Sequence, residues 1–130
     1  MRRKKIVVID DSMDSLTFVR TLLKTSGYSA YVAKNGDEGM RKILKHKPDL
    51  VILDVMMPIE GGIEMYRQLR SDEELKNIPV IFLSAVARRT FKHCQFILDS
   101  YRQENVPEPE EYIEKPVEAD DLLEIVRRYI

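Results

Sequence analysis

Ile6-Val7-Val8-Ile9 runs straight into Asp10-Asp11, and the same form recurs at Leu50-Val51-Ile52-Leu53, closed by Asp54. Short continuous runs rich in β-branched residues suit strands buried on both faces, as in a parallel sheet covered by helices. Working outward, Val80-Ile81-Phe82-Leu83 repeats the form and ends on Ser84. Ser29-Ala30-Tyr31-Val32-Ala33 is a less regular run, and Tyr112-Ile113 a weaker one that leads to Lys115. The three continuous runs are expected to be the central strands.

The segments between the runs carry helical spacing. Leu16, Val19, Leu22 and Leu23 form one stripe of a helix from about Met13 to Ser26, with Asp11 or Ser12 to cap its start and Gly27 placed to cap its end. A second helix is expected near Asp37 to His46, stopping before Pro48, and a third near Ile63 to Arg70, just after Gly61-Gly62. From Val86 to Asn105 the residues Phe91, Cys94, Ile97, Leu98 and Tyr101 keep helical period until Val106-Pro107-Glu108-Pro109 ends it. The last helix follows Pro116, with Leu122, Ile125, Val126 and Tyr129 on its inner face. This alternation predicts an α/β fold, a doubly wound (βα)5 parallel sheet of five strands.

Composition narrows the function classes. The chain has 130 residues, 44% apolar and 33% charged, which is one ordinary globular domain, 1–130. Lys and Arg number 21 against 22 Asp and Glu, so bulk charge gives no hold on nucleic acid. One cysteine and two histidines far apart exclude an internal disulfide and a Cys/His zinc site. The apolar stretch after Arg2-Arg3-Lys4-Lys5 stops at four residues, too short for an export signal or a membrane span. A cytoplasmic chain without membrane contact is expected.

The strand ends carry the chemistry. Asp10-Asp11, Asp54, Ser84 and Lys115 each follow a predicted strand, and parallel strands share one carboxyl edge where ligands bind. Carboxylates gathered there repel one another unless a cation sits among them. An all-oxygen set of this kind suits a hard ion such as Mg²⁺, which keeps waters and open positions for phosphate oxygens. With Lys115 as a second cation and Ser84 as a hydroxyl, the constellation suits in-line phosphoryl transfer, and Asp54 is the candidate nucleophile.

The stretches Val8-Ile9-Asp10-Asp11, Leu53-Asp54-Val55-Met56-Met57-Pro58-Ile59-Glu60-Gly61-Gly62, Leu83-Ser84-Ala85 and Tyr112-Ile113-Glu114-Lys115-Pro116 together resemble the receiver domain of two-component response regulators. The resemblance spans essentially the whole chain and implies a flavodoxin-like strand order, 2-1-3-4-5. It implies Asp54 as phosphoacceptor, with Mg²⁺ held by Asp11, Asp54 and the backbone carbonyl of Met56, and by Asp10 through a water. Lys115 and Ser84 would bind phosphoryl oxygens, and Tyr112 would turn inward as the loop after the fourth strand moves. The partner implied is a sensor histidine kinase or histidine phosphotransfer protein, docking near Met13, Leu16 and Arg20. A downstream protein would meet the face of the fourth helix, fifth strand and fifth helix.

Departures from the family pattern carry expectations of their own. Ser84 to Lys115 is a long interval, and Glu104 to Glu110 replaces a small-residue turn, so the output face is expected to be remodelled. Phe96 falls opposite the apolar stripe of its helix and is expected to meet a partner or the Pro/Glu loop. Met56 and Val86 are apolar where faster family members carry polar groups, which predicts slow hydrolysis of the phosphoryl group. Cys94 is expected in the core, and His46 and His93 on helix surfaces without catalytic partners. Because Tyr129-Ile130 falls where the fifth helix should stop, no output domain is expected. Two other functions compete: a receiver-fold interaction module that acts without phosphate, and a haloacid-dehalogenase-like phosphatase. The phosphatase needs two acids separated by one residue, whereas Asp10 and Asp11 are adjacent.

Overall fold

The computed structural model describes residues 2–55, 62–93 and 107–130. Strands β1 (Lys5–Ile9), β2 (Ser29–Ala33), β3 (Leu50–Leu53), β4 (Val80–Ser84) and β5 (Glu111–Glu114) form one parallel sheet in the order β2-β1-β3-β4-β5. The continuous runs are indeed its three interior strands. Helices α1 (Met13–Thr25), α2 (Gly36–His46) and α3 (Gly62–Ser71) lie between them in sequence. A fourth, α4, is helical over 88–93, and α5 (Ala119–Tyr129) follows β5. The expected continuation of α4, with Cys94 and Phe96, and Met56 in the loop after β3 lie outside the described residues.

Alternation along the strands divides the core in two. Ile6, Val8, Leu50, Ile52, Ile81, Leu83 and Ile113 pack with Leu16, Val19 and Leu23 of α1 and with Leu122, Leu123 and Val126 of α5. Val7, Ile9, Val51, Leu53, Val80 and Phe82 pack with Ile43 of α2 and Met65, Tyr66 and Leu69 of α3. Successive side chains of a strand point to opposite faces, so a run that is apolar at every position must be covered on both.

The helix ends follow their sequence signals. Ser12 caps α1, its hydroxyl accepting from the Ser15 N–H at 3.3 Å. At the other end Gly27 takes φ +97°, its N–H donates to the Lys24 carbonyl, and the Tyr28 N–H donates to the Leu23 carbonyl. That is a Schellman closure, which glycine adopts without the Cβ penalty. Asn35 caps α2 by accepting from the Glu38 N–H at 2.9 Å. Asn35→Ala is expected to lower stability by about 1 kcal/mol, measured by urea unfolding, because the Glu38 donor loses its partner.

A polar seam closes the other end of the β4–β5 pair. Arg70 donates to Glu110 at 2.7 Å and to the carbonyls of Lys76 and Ile78, while Glu110 accepts from the Val80 N–H at 2.7 Å. Tyr66 adds a hydrogen bond to the Pro107 carbonyl at 2.5 Å. Glu110, expected only as part of a Pro/Glu loop, therefore ties that loop to α3 and β4. His46 is half-buried and not simply a surface residue: its ring stacks on Tyr31 with centroids 3.7 Å apart. Its pKa is lowered by desolvation and by the charges of Lys45, Lys5 and Lys42.

Candidate functional site

Each of the strand-end residues Asp10, Asp54 and Lys115 lies one step beyond its strand, yet its backbone N–H is still held by the neighbouring strand. Asp10 N–H donates to the Ala33 carbonyl at 3.1 Å, Asp54 N–H to Ile9 at 2.9 Å, and Lys115 N–H to Ser84 at 2.8 Å. The sheet thus sets the backbone from which the functional side chains project. Ser84, the last residue of β4, is fully buried, and its hydroxyl accepts from the Val86 N–H at 3.1 Å.

Lys115 reaches across to both buried acids. Its Nζ lies 2.6 Å from Asp10 Oδ2 and 3.5 Å from Asp54 Oδ2. Asp10 is 3% exposed and Asp54 8%, whereas Asp11 is open to solvent. The other Asp10 oxygen, Oδ1, accepts from the Ser12 N–H at 2.9 Å. Burial works against ionisation of Asp10, but the Lys115 hydrogen bond, the Ser12 N–H, the Ser15 side chain and the Lys115 charge outweigh it and hold its pKa below the usual carboxylate range. Burial likewise opposes the Lys115 charge, and its bond to Asp10 with the charges of both acids overcomes that and raises its pKa. Both groups are therefore held ionised.

One oxygen from each of Asp10, Asp11 and Asp54 can be chosen so that all lie within 4.8 Å of one another. At that spacing each pair of charges repels by about 3 kcal/mol at an effective dielectric of about 20. A single ammonium balances only part of three negative charges. The donor set is entirely carboxylate oxygen with one member exposed, which fits a hard divalent ion that retains water ligands. The residues present thus fit a metal of the Mg²⁺ type.

Tyr112 is half-buried, with its hydroxyl donating to the Val86 carbonyl at 2.6 Å and its ring centroid 5.3 Å from that of Phe91. Burial raises its pKa, partly offset by a hydrogen bond with Ser84. The Lys115-Pro116 peptide is cis. Of the expected docking residues, Met13 is 56% exposed and Arg20 is exposed, but Leu16 is only 2% exposed and packs in the α1 core. Leu16 is withdrawn from that surface: it shares the stripe of Val19 and Leu23, spaced i, i+3 and i+7, which the sheet covers. Phe18, 43% exposed on the same helix, lies off the apolar stripe of Leu16, Val19 and Leu23 and has no signal in the sequence pattern.

Two features of the site escape sequence reasoning. The nearer carboxylate partner of Lys115 is Asp10, not Asp54. Glu114 accepts from the Arg88 N–H at 2.8 Å and so joins β5 to the start of α4. Among the described residues no helix is long and apolar enough to cross a membrane.

Comparison with known proteins agrees with this arrangement. Residues 6–127 match the response regulator receiver domain. The chain is 29% identical over 127 residues to the polar-differentiation response regulator DivK of Brucella anthropi, covering 98% of this chain and 96% of that protein. Its fold is similar to that of the response regulator TrrA of Thermotoga maritima in complex with Mg²⁺ and BeF, with TM-score 0.77, 30% identity and coverage of 98% and 99% of the two chains. The fold also resembles the chemotaxis response regulator CheY4 of Vibrio cholerae, with TM-score 0.82 at 24% identity over 99% and 100% of the chains. With the strand order and the strand-end residues in place, these matches establish that the chain belongs to the receiver domains of two-component response regulators.

Proposed function

We propose that residues 1–130 act as one receiver unit in which Asp54 accepts a phosphoryl group from a phosphohistidine of a sensor kinase or phosphotransfer protein. The observation that carries this reading is Asp54 at the end of a central strand, 3.5 Å from Lys115 Nζ and beside Asp10 and Asp11. In the transfer, an Asp54 carboxylate oxygen forms a bond to phosphorus as the phosphorus–nitrogen bond of the donor histidine breaks, and the imidazole leaves with the bonding pair and takes up a proton. Lys115 is placed to follow the charge onto the phosphoryl oxygens. Such fixed positive groups stabilise the spreading negative charge of the transition state without reorganisation.

Asp11, Asp54 and the Met56 carbonyl would hold Mg²⁺, with Asp10 assisting through water. When bound, the ion supplies neutralisation of the acid cluster and of the phosphoryl oxygens. The Ser84 hydroxyl leaves the Val86 N–H for a phosphoryl oxygen, the loop after β4 follows, and Tyr112 exchanges its bond to Val86 for a more inward position. New charge-assisted bonds bias a two-state loop, and the α4–β5–α5 face reports it to a downstream protein. Met13 and Arg20 remain the kinase-docking residues of this reading.

The intact site favours this over a phosphate-independent module, since Lys115, Asp10 and Asp54 are already assembled. Its test is chemical mapping: after incubation with acetyl phosphate and Mg²⁺, borohydride reduction converts an acyl phosphate on aspartate to homoserine. Homoserine at position 54 alone is expected. Homoserine at another aspartate, or none in a protein that has gained a phosphoryl group, would overturn the assignment.

A further inference from the structure

The start of α4 lacks the local cap that α1 and α2 possess. The Phe91 N–H donates to the Ala87 carbonyl at 3.0 Å, which makes Ala87 the N-cap residue, and alanine has no side-chain acceptor. Ser12 and Asn35 serve α1 and α2 from within their own segments, but Ala85-Val86-Ala87-Arg88-Arg89 offers no side-chain acceptor. Arg88 and Arg89 also place cations at the end of the helix where the backbone dipole is positive. The N–H of Arg88, the first residue of the helix, is satisfied by Glu114, 26 positions away on β5.

Glu114 is opposite Ser84 in the β4–β5 register. The loop 84–88 is consequently fastened to β5 at three points: Lys115 N–H to the Ser84 carbonyl, Tyr112 hydroxyl to the Val86 carbonyl, and Glu114 carboxylate to the Arg88 N–H. The first two are neutral-group contacts at the near end and the middle. The third has a carboxylate acceptor, lies at the solvent-exposed edge, and holds the far end.

We propose that Glu114 is a latch that keeps the 84–88 loop in its unphosphorylated position, and is thereby a positioning residue for Ser84. This rests on the phosphoacceptor reading above. When Ser84 turns towards a phosphoryl group on Asp54, the loop draws Arg88 away from Glu114, so that breaking the latch opposes switching. A cap bond of ordinary strength corresponds to roughly a fivefold bias between two states.

The test is titration of the full chain with beryllofluoride at saturating Mg²⁺, followed by the Ser84 and Arg88 amide resonances, alongside thermal unfolding. Glu114→Ala is expected to bind beryllofluoride roughly fivefold more tightly than the unaltered chain. Glu114→Gln, which keeps an acceptor oxygen, is expected to return most of the way to the unaltered affinity. Ala87→Ser added to Glu114→Ala supplies a cap within the helix and is expected to restore the unfolding temperature while leaving the tighter binding in place.

An unchanged or weaker affinity for Glu114→Ala overturns the latch, as does a return to the original affinity on adding Ala87→Ser. If the unaltered chain itself shows no response to beryllofluoride, the phosphoacceptor reading falls and the latch with it; a normal response there with no effect of Glu114→Ala removes the latch alone.

Discussion

Replacing Gly62 by alanine is expected to destabilise the protein by about 3 kcal/mol, with a fall in unfolding temperature of roughly 10 °C. A Cβ at Gly62 would lie 2.5 Å from the Asp54 carbonyl oxygen and 2.6 Å from Val55 Cα. Both are backbone atoms at the end of an interior strand and cannot rotate aside. The first turn of α3 would have to lift from the sheet, or the Asp54 backbone would have to give way. Gly39 provides the comparison: its added Cβ would approach Ile9 Cδ1 to 2.6 Å, Ile9 Cγ1 to 2.8 Å and Met65 Sδ to 3.4 Å. Those are side-chain atoms, which can shift within the core where backbone cannot, so Gly39→Ala is expected to cost less, about 2 kcal/mol. Urea unfolding of the two variants checks the contrast. A loss at Gly62 no larger than at Gly39 would show that α3 does not seat on the strand end as described.

Lys115→Ala has the largest expected effect on chemistry. If Asp54 accepts the phosphoryl group as proposed, removing the ammonium takes away a fixed positive group beside it, and losses of this kind are about 100-fold or more in rate. The same change leaves Asp10 and Asp54 without the cation that lies 2.6 and 3.5 Å from them. Divalent-ion binding is therefore expected to strengthen, because the ion no longer competes with Lys115 for the acids, and stability is expected to depend more steeply on added Mg²⁺. Phosphoryl incorporation over time and Mg²⁺ titration of thermal unfolding measure the two effects. A rate within threefold of the unaltered protein would contradict the role given to Lys115.

Much of this architecture is legible before any coordinates because the parallel sheet writes itself into the chain. Runs such as Ile6 to Ile9 and Leu50 to Leu53 are apolar throughout because both sheet faces are covered, and each ends where its backbone reaches the open edge. The positions of Asp10, Asp54 and Ser84 follow from these runs, whereas Lys115 follows the weaker Tyr112-Ile113 of β5, whose ends Glu111 and Glu114 are polar. What the pattern hides is reach. A lysine side chain spans several ångströms, so Lys115 settles nearest Asp10 through tertiary geometry that no spacing encodes. The Glu114–Arg88 and Glu110–Arg70 links join residues 26 and 40 positions apart, and neither has a local signal beyond a charged residue. Leu16 is a different case: its helical stripe with Val19 and Leu23 points to the core, where the structure holds it, and only the family resemblance points outward.

The central claim is that Asp54 receives a phosphoryl group at a site that needs a divalent ion. Its most direct measurement is the intact mass of the protein after incubation with a small-molecule phosphodonor, with and without Mg²⁺, for the unaltered chain and for Asp54→Ala. A gain of one phosphoryl group is expected in the unaltered chain, dependent on Mg²⁺ and absent from the variant. An equal gain in Asp54→Ala, or a gain indifferent to Mg²⁺, would contradict it.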